Sequence, residues 1–151
     1  MYNSKINRII FLLNSLEGLT NDAEKEGFIS SKNLKSDMIE TLVSTVINAE
    51  LCNNSQKGYD ALRGKERIQI KFRSANKNGK YRIRFKNITK HEIGFDTLAF
   101  CCKTNEGYNI YEIDAHDLPN MRFNEEKNIK ALSLSISSLE DICFDKHKVK
   151  S

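Results

Sequence analysis

Residues 95–102 run Phe-Asp-Thr-Leu-Ala-Phe-Cys-Cys, one charge in a dense apolar stretch. A run of this length with aromatic residues predicts a strand buried on both faces. Such a strand sits inside a sheet covered on each side, which points to an α/β or layered architecture. The turn Asn105-Glu106-Gly107 then sends the chain back into a second strand, residues 108–113. These two strands form the expected centre of the fold.

The other elements are read around that centre. Ile6, Ile9, Ile10, Leu13 and Leu16 recur at three- and four-residue steps. They predict a helix over residues 4–16, with Ser4 as a cap and Gly18 as its stop. The polar stretch 20–33 reads as a linker or frayed helix. Met38, Ile39, Leu42, Val43, Val46 and Ile47 make one broad apolar face over residues 34–47, with Asn48 as a left-handed end. A short strand at 58–63, a tight turn at Gly64-Lys65 and a strand at 67–73 form a hairpin; in the second strand Ile68, Ile70 and Phe72 alternate with polar residues. Residues 81–89 fit either a strand or a short helix. Leu132, Leu134 and Ile136 predict a late strand, Ser138 the start of a short helix, and the Lys/His tail after Asp145 a loose end. The expected organisation is a helical extension or linker at 1–33 and an α/β sheet domain at 34–151.

The chain has 151 residues, enough to bury a core without cross-links. No apolar run approaches the roughly 18 residues that cross a bilayer, and residues 1–19 lack the pattern of a signal peptide. Cys52, Cys101, Cys102 and Cys143 include no CxxC pair, so buried reduced thiols and a cytoplasmic setting are expected. Nothing resembles a P-loop or a dinucleotide fingerprint, so no nucleotide cofactor is expected.

Charge is distributed unevenly. Residues 61–90 hold eleven basic residues and a single acid, Glu66, a net of +10, which leaves −6 for the rest of a chain whose total is +4. A block of this kind suits a polyanion, because each Lys or Arg near a phosphate releases condensed counterions. Arg63, Arg67, Arg73, Lys77, Lys80, Arg82 and Arg84 are the expected nucleic-acid contacts. The alternative is a solvated surface.

On the second strand of the hairpin, Gln69 and Lys71 are two apart and face one way, together with Arg67 and Arg73. Pairing across Gly64-Lys65 places Asp60 near Gln69. A carboxylate, an amide oxygen and an ammonium on one patch suit phosphodiester hydrolysis with a hard cation. Spacing alone leaves cross-strand salt bridging equally open. His91, His116 and His147 have no metalloenzyme spacing and are expected at surface or satisfied positions. Phe95, Phe100 and Tyr111 are expected in the core, and Tyr59 is expected to pack.

Lys57-Gly58-Tyr59-Asp60-Ala61 followed by Arg67-Ile68-Gln69-Ile70-Lys71 resembles the motif of the PD-(D/E)XK nucleases. It is most similar to small members, like the Mrr-type restriction endonucleases, with Gln where most relatives carry an acid. The likeness extends back to Glu40 and forward to Phe95-Asp96-Thr97-Leu98, covering about half the chain. It implies a restriction-endonuclease-like mixed β-sheet flanked by helices. It also implies a DNA endonuclease of restriction, phage defence or repair, using Mg²⁺ with Mn²⁺ as a substitute. Asp60 would be the principal metal ligand, Gln69 the second, and the Ile70 carbonyl a third. Lys71 would position or activate water, and Glu40 would hold metal or its water, with Glu50 as a competitor. A homodimer through the N-terminal helix is expected, because cutting two strands needs two centres. Gln69 leaves one negative charge fewer, so a nucleic-acid-binding module that does not cut is the alternative. A structural subunit without DNA affinity is a third.

Overall fold

In the computed structural model the described residues are 2–26, 34–52, 58–74, 78–85, 93–119, 122–124 and 129–151. Lys77 and His91, both named above, lie outside them, as do Lys57 and residues 53–55.

The architecture is α/β. Helices α1 (Tyr2–Lys25) and α2 (Leu34–Val46) come first. Strands β1 (Glu50–Leu51), β2 (Ala61–Arg63) and β3 (Glu66–Arg73) form an antiparallel meander. Strands β4 (Lys80–Phe85), β5 (Thr97–Thr104), β6 (Gly107–Asp114), β7 (Arg122–Asn124) and β8 (Ile129–Ser135) follow, then helix α3 (Ile136–Ile142) and strand β9 (Asp145–Lys150). A six-stranded mixed sheet has the order β1-β2-β3-β5-β6-β9, with β3 and β5 parallel; a three-stranded antiparallel sheet has the order β4-β8-β7.

The large sheet separates two cores. On one face Ile68, Ile70, Ala99, Cys101, Tyr108 and Ile110 meet Ile6, Ile9, Ile10 and Leu13 of α1 and Ile39, Leu42, Val43 and Ile47. On the other, Leu98, Phe100, Cys102, Tyr111 and Ile113 meet Tyr81, Ile83 and Phe85 of β4, Leu132 and Leu134 of β8, and Leu139 of α3. Apart from exposed Asp96, the apolar run at 95–102 is therefore buried on both faces, and its strand begins at Thr97. Adjacent Cys101 and Cys102 point into opposite cores, and all four cysteines are unpaired. Among the described residues no helix is long and apolar enough to cross a membrane.

Several boundaries differ from expectation. Helix α1 starts before Ser4 and runs through Gly18 to Lys25. A glycine within a helix costs about 1 kcal/mol relative to alanine but does not break it. The turn around Gly18 is anchored by Glu17, which binds Lys103 and lies 3.8 Å from Lys35. The segment at 81–89 resolves as strand β4 over its described part, with Tyr81, Ile83 and Phe85 buried and Lys80, Arg82 and Arg84 exposed. Ile136 begins α3 rather than ending a strand, and its side chain is exposed. The cap is Ser135, not Ser138: the Ser135 hydroxyl accepts the Ser138 N–H at 3.2 Å. The tail after Asp145 is ordered as β9, paired along β6 from Gly107 to Glu112. Val149 is buried there, and His147 binds Glu112 at 2.8 Å, so the strand is tied by a core contact and a polar one. The left-handed turn at Asn48 is present at φ 57°, and Ala49 N–H donates to the Ser44 carbonyl at 2.8 Å.

Candidate active site

The β2–β3 pairing ends with Ala61 opposite Ile68, and the next residues on the two sides, Asp60 and Gln69, meet through their side chains. The Asp60 N–H donates to the Ile68 carbonyl at 2.8 Å, so Asp60 and Ala61 both face Ile68 where the ladder ends, in the manner of a β-bulge. Gln69 stands beside Leu98 and Lys71 beside Phe100 on β5. Asp60, Gln69 and Lys71 thus share the face that carries the three-stranded sheet. The Lys71 ammonium lies 5.7 Å from the centre of the Phe85 ring, so β4 forms a wall of the site.

Asp60 Oδ2 accepts the Ile70 backbone N–H at 2.8 Å and a side-chain N–H of Gln69. Burial pushes the Asp60 carboxyl above the usual carboxylate range, against the pull of the Ile70 N–H and Lys71. Glu40 reaches the same neighbourhood from α2. Its carboxyl is also raised, first by burial, then by the negative charges of Asp60 and Asp37, while Lys71 lowers it. Glu50, the competitor, stands exposed on β1 opposite Leu62.

The Gln69 amide nitrogen sits between Asp60 Oδ2 and the Ile70 carbonyl oxygen, 3.4 Å from the latter. An amide's oxygen and nitrogen are nearly isosteric, so a half-turn of the side chain exchanges them. In that orientation three oxygens converge: a carboxylate, a backbone carbonyl and an amide. Oxygen donors of this kind fit a hard cation such as Mg²⁺ and repel each other without one. The residues present are therefore chemically suited to the metal that the resemblance implies.

The basic segment divides into two sets. Arg63 faces the helical side. It donates to Glu66 at 2.9 Å and to the Ile47 carbonyl at 3.0 Å, and its guanidinium lies 2.8 Å from Glu112 Oε1. Arg67 makes a two-pronged pair with Asp96 at 3.1 and 3.0 Å, while its backbone N–H donates to the same carboxylate at 2.9 Å. Arg73, by contrast, is exposed and reaches the Arg82 carbonyl at 3.4 Å. Together with Lys80, Arg82 and Arg84, exposed on the outward face of β4, it makes a basic strip along that strand.

Two features are not evident from the sequence. Asp96 clamps Arg67 to the start of β5, a role that its place in a strand motif does not suggest. Glu112 is 2 % exposed and joins Arg63 to His147. A signal for it exists: Tyr108, Ile110 and Glu112 share one side of a strand whose inward positions are otherwise apolar. Among the described residues, Glu112, Asp145 and His147 are the one set of three ligand-type side chains within 4.8 Å of each other. Arg63 already lies against one Glu112 oxygen and His147 against the other, so the group is a charge-compensated strut fastening β9 to β2. The Arg63 contact is an ion contact without hydrogen-bond alignment.

Comparison with protein-family models gives no match, and comparison with curated proteins gives none.

Proposed function

We propose that the chain is a metal-dependent DNA endonuclease with a restriction-endonuclease-like fold. The observation that carries this reading is the convergence of Asp60, Gln69, the Ile70 carbonyl and Lys71 on one sheet face, with Glu40 within electrostatic reach. The four segments of the family resemblance also fall on neighbouring elements: α2, the β2–β3 hairpin, and β5 parallel to β3. A bound Mg²⁺ would supply charge stabilisation at the phosphoryl oxygens and acidify a water. Asp60 and the Ile70 carbonyl would hold it, Gln69 would join them through its amide oxygen, and Glu40 would receive a coordinated water by hydrogen bond. The Lys71 ammonium would orient the attacking water and offset negative charge developing on the phosphate. The strip formed by Arg73, Arg82 and Arg84 would hold the backbone of the duplex.

The second reading, a module that binds DNA without cutting, is favoured by one observation. Gln69 turns its N–H, not its oxygen, toward Asp60. That contact satisfies the carboxylate with no cation. Plasmid DNA incubated with Mg²⁺ or Mn²⁺ tests the first reading. Cleavage should occur and vanish in Asp60→Ala and in Lys71→Ala. Absence of cleavage on supercoiled, linear and single-stranded substrates, with salt-sensitive binding that ignores EDTA, would establish the second reading instead.

A further inference from the structure

Helix α1 buries Ile6, Ile9, Ile10 and Leu13 against the core and leaves an opposite stripe uncovered. Arg8, Phe11, Leu12, Ser15, Gly18, Leu19 and Asp22 are all exposed there; Phe11 is 58 %, Leu12 38 % and Leu19 69 % accessible. At three- and four-residue spacing these positions line one side of the helix. Three large apolar side chains on the exposed side of a single helix suit a protein partner.

We propose that this stripe pairs with the same stripe of a second copy, antiparallel, with the two-fold axis passing beside Ser15. An axis there brings Arg8 against the partner's Asp22, Leu12 against the partner's Leu19, and Phe11 against the partner's Gly18. Every contact is repeated by symmetry, as an isologous interface requires. Charge sets the direction. A parallel pair would place Arg8 on Arg8 and Asp22 on Asp22, whereas the antiparallel pair gives two opposite-charge contacts. The Arg8 guanidinium already lies 5.3 Å from the centre of the Phe11 ring, so it flanks the apolar patch rather than leaving it.

Gly18 supplies the steric half of the argument. It lies inside a helix, where glycine is less favourable than alanine. Its backbone does not take a positive φ, and a Cβ built on it would meet nothing within 4 Å. The isolated chain therefore has no conformational or packing reason for glycine at this position. In the antiparallel pair the missing side chain is the hole that receives the partner's Phe11. Ser15 at the axis is also small, so the two helices can approach closely. The contact is limited to one helix per copy, below the roughly 800 Å² per partner of a standard interface, so association in the micromolar range is expected.

Sedimentation equilibrium of the full chain, from about 1 to 500 µM, reads this directly. The unmodified chain should pass from monomer to dimer within that range. Gly18→Leu should remain folded by circular dichroism, melt no lower than the parent, and stay monomeric. Arg8→Glu and Asp22→Arg should each weaken association about tenfold, and the double variant should restore it. Ser15→Cys should give a disulfide-linked dimer under mild oxidation, whereas Asn14→Cys, a quarter-turn away, should not. A chain that stays monomeric throughout would overturn the proposal and leave the stripe to a different partner. A dimer that Gly18→Leu leaves intact, or equal cross-linking of the two cysteine variants, would overturn it as well, by moving the interface to another face.

Discussion

Gln69 donates its side-chain N–H to the Oδ2 of Asp60, which stands one residue beyond the end of the β2–β3 ladder. The same oxygen takes the Ile70 backbone N–H. The carboxylate is thus served by two neutral donors while burial works against its charge. This contact governs how the site should respond to charge and to metal.

Asp60→Asn should separate stability from activity. The native Asp60 carboxyl holds its proton to higher pH than in the unfolded chain. The folded state therefore binds more protons between the two pKa values, and stability falls as pH rises through that window. The cost is greatest on the alkaline side of that window. Asparagine removes it while keeping an oxygen for the Ile70 N–H. The variant should be more stable at pH 7 by about 0.5–2 kcal/mol, with little change at about pH 3, and should not cut DNA. Thermal melts at the two pH values, set beside a plasmid assay, check this.

Gln69→Glu should act in the opposite sense. It removes the N–H donor and places a second carboxylate beside Asp60. In EDTA the variant should be destabilised by about 1–3 kcal/mol. Added Mg²⁺ should then raise its melting temperature more than that of the parent chain, because a cation relieves the repulsion and binds the folded state. Equal shifts in the two proteins would argue against a cation at this position.

Arg63→Ala should damage the fold rather than DNA binding alone. It strips the charge partner from buried Glu112 and the donor from the Ile47 carbonyl at the end of α2. Removing one member of a buried pair costs about 3–5 kcal/mol, and the partial exposure of Arg63 places this case at the lower end. Adding Glu112→Gln should recover part of that stability in urea titrations. An unchanged midpoint with weakened DNA binding would return Arg63 to the nucleic-acid surface.

Arg82→Ala with Arg84→Ala should leave the fold intact, since both side chains are exposed on β4. The slope of log K against log salt for duplex DNA should become shallower by about 0.9 for each phosphate that is no longer neutralised, or about 1.8 for the pair. A filter-binding series from low to moderate salt measures it.

Alternation makes much of this legible in the sequence. Ile68, Ile70 and Phe72 against Gln69 and Lys71 define the two faces of β3, and the Gly64-Lys65 turn sets the register that carries Asp60 to Gln69. The dense apolar run at 95–102 likewise finds most of β5, and helical periodicity finds α2 with its Asn48 end. It fails where a long-range partner decides the outcome. The Lys, His and Val residues at the end of the chain carry little strand signal, yet β9 forms because β6 offers an edge and Glu112 awaits His147. Ser135 and Ser138 are both plausible caps by residue type, and only the end of β8 chooses between them.

The basic block is where the two levels separate most clearly. The sequence alone determined that residues 61–90 carry +10 and that Gln69 and Lys71 share a face, because composition and a period of two need no tertiary information. Which of those cations face solvent was settled only by folding. Arg63 and Arg67 are drawn into pairs with Glu112, Glu66 and Asp96, and two of those acids are remote in the chain. Arg82 and Arg84 are left on an exposed edge, because β4 buries its other face against Phe95 and Phe100. Charge is counted along the chain, but its partners are assigned by packing, and only packing distinguishes an arginine that holds the fold from one that can meet a phosphate.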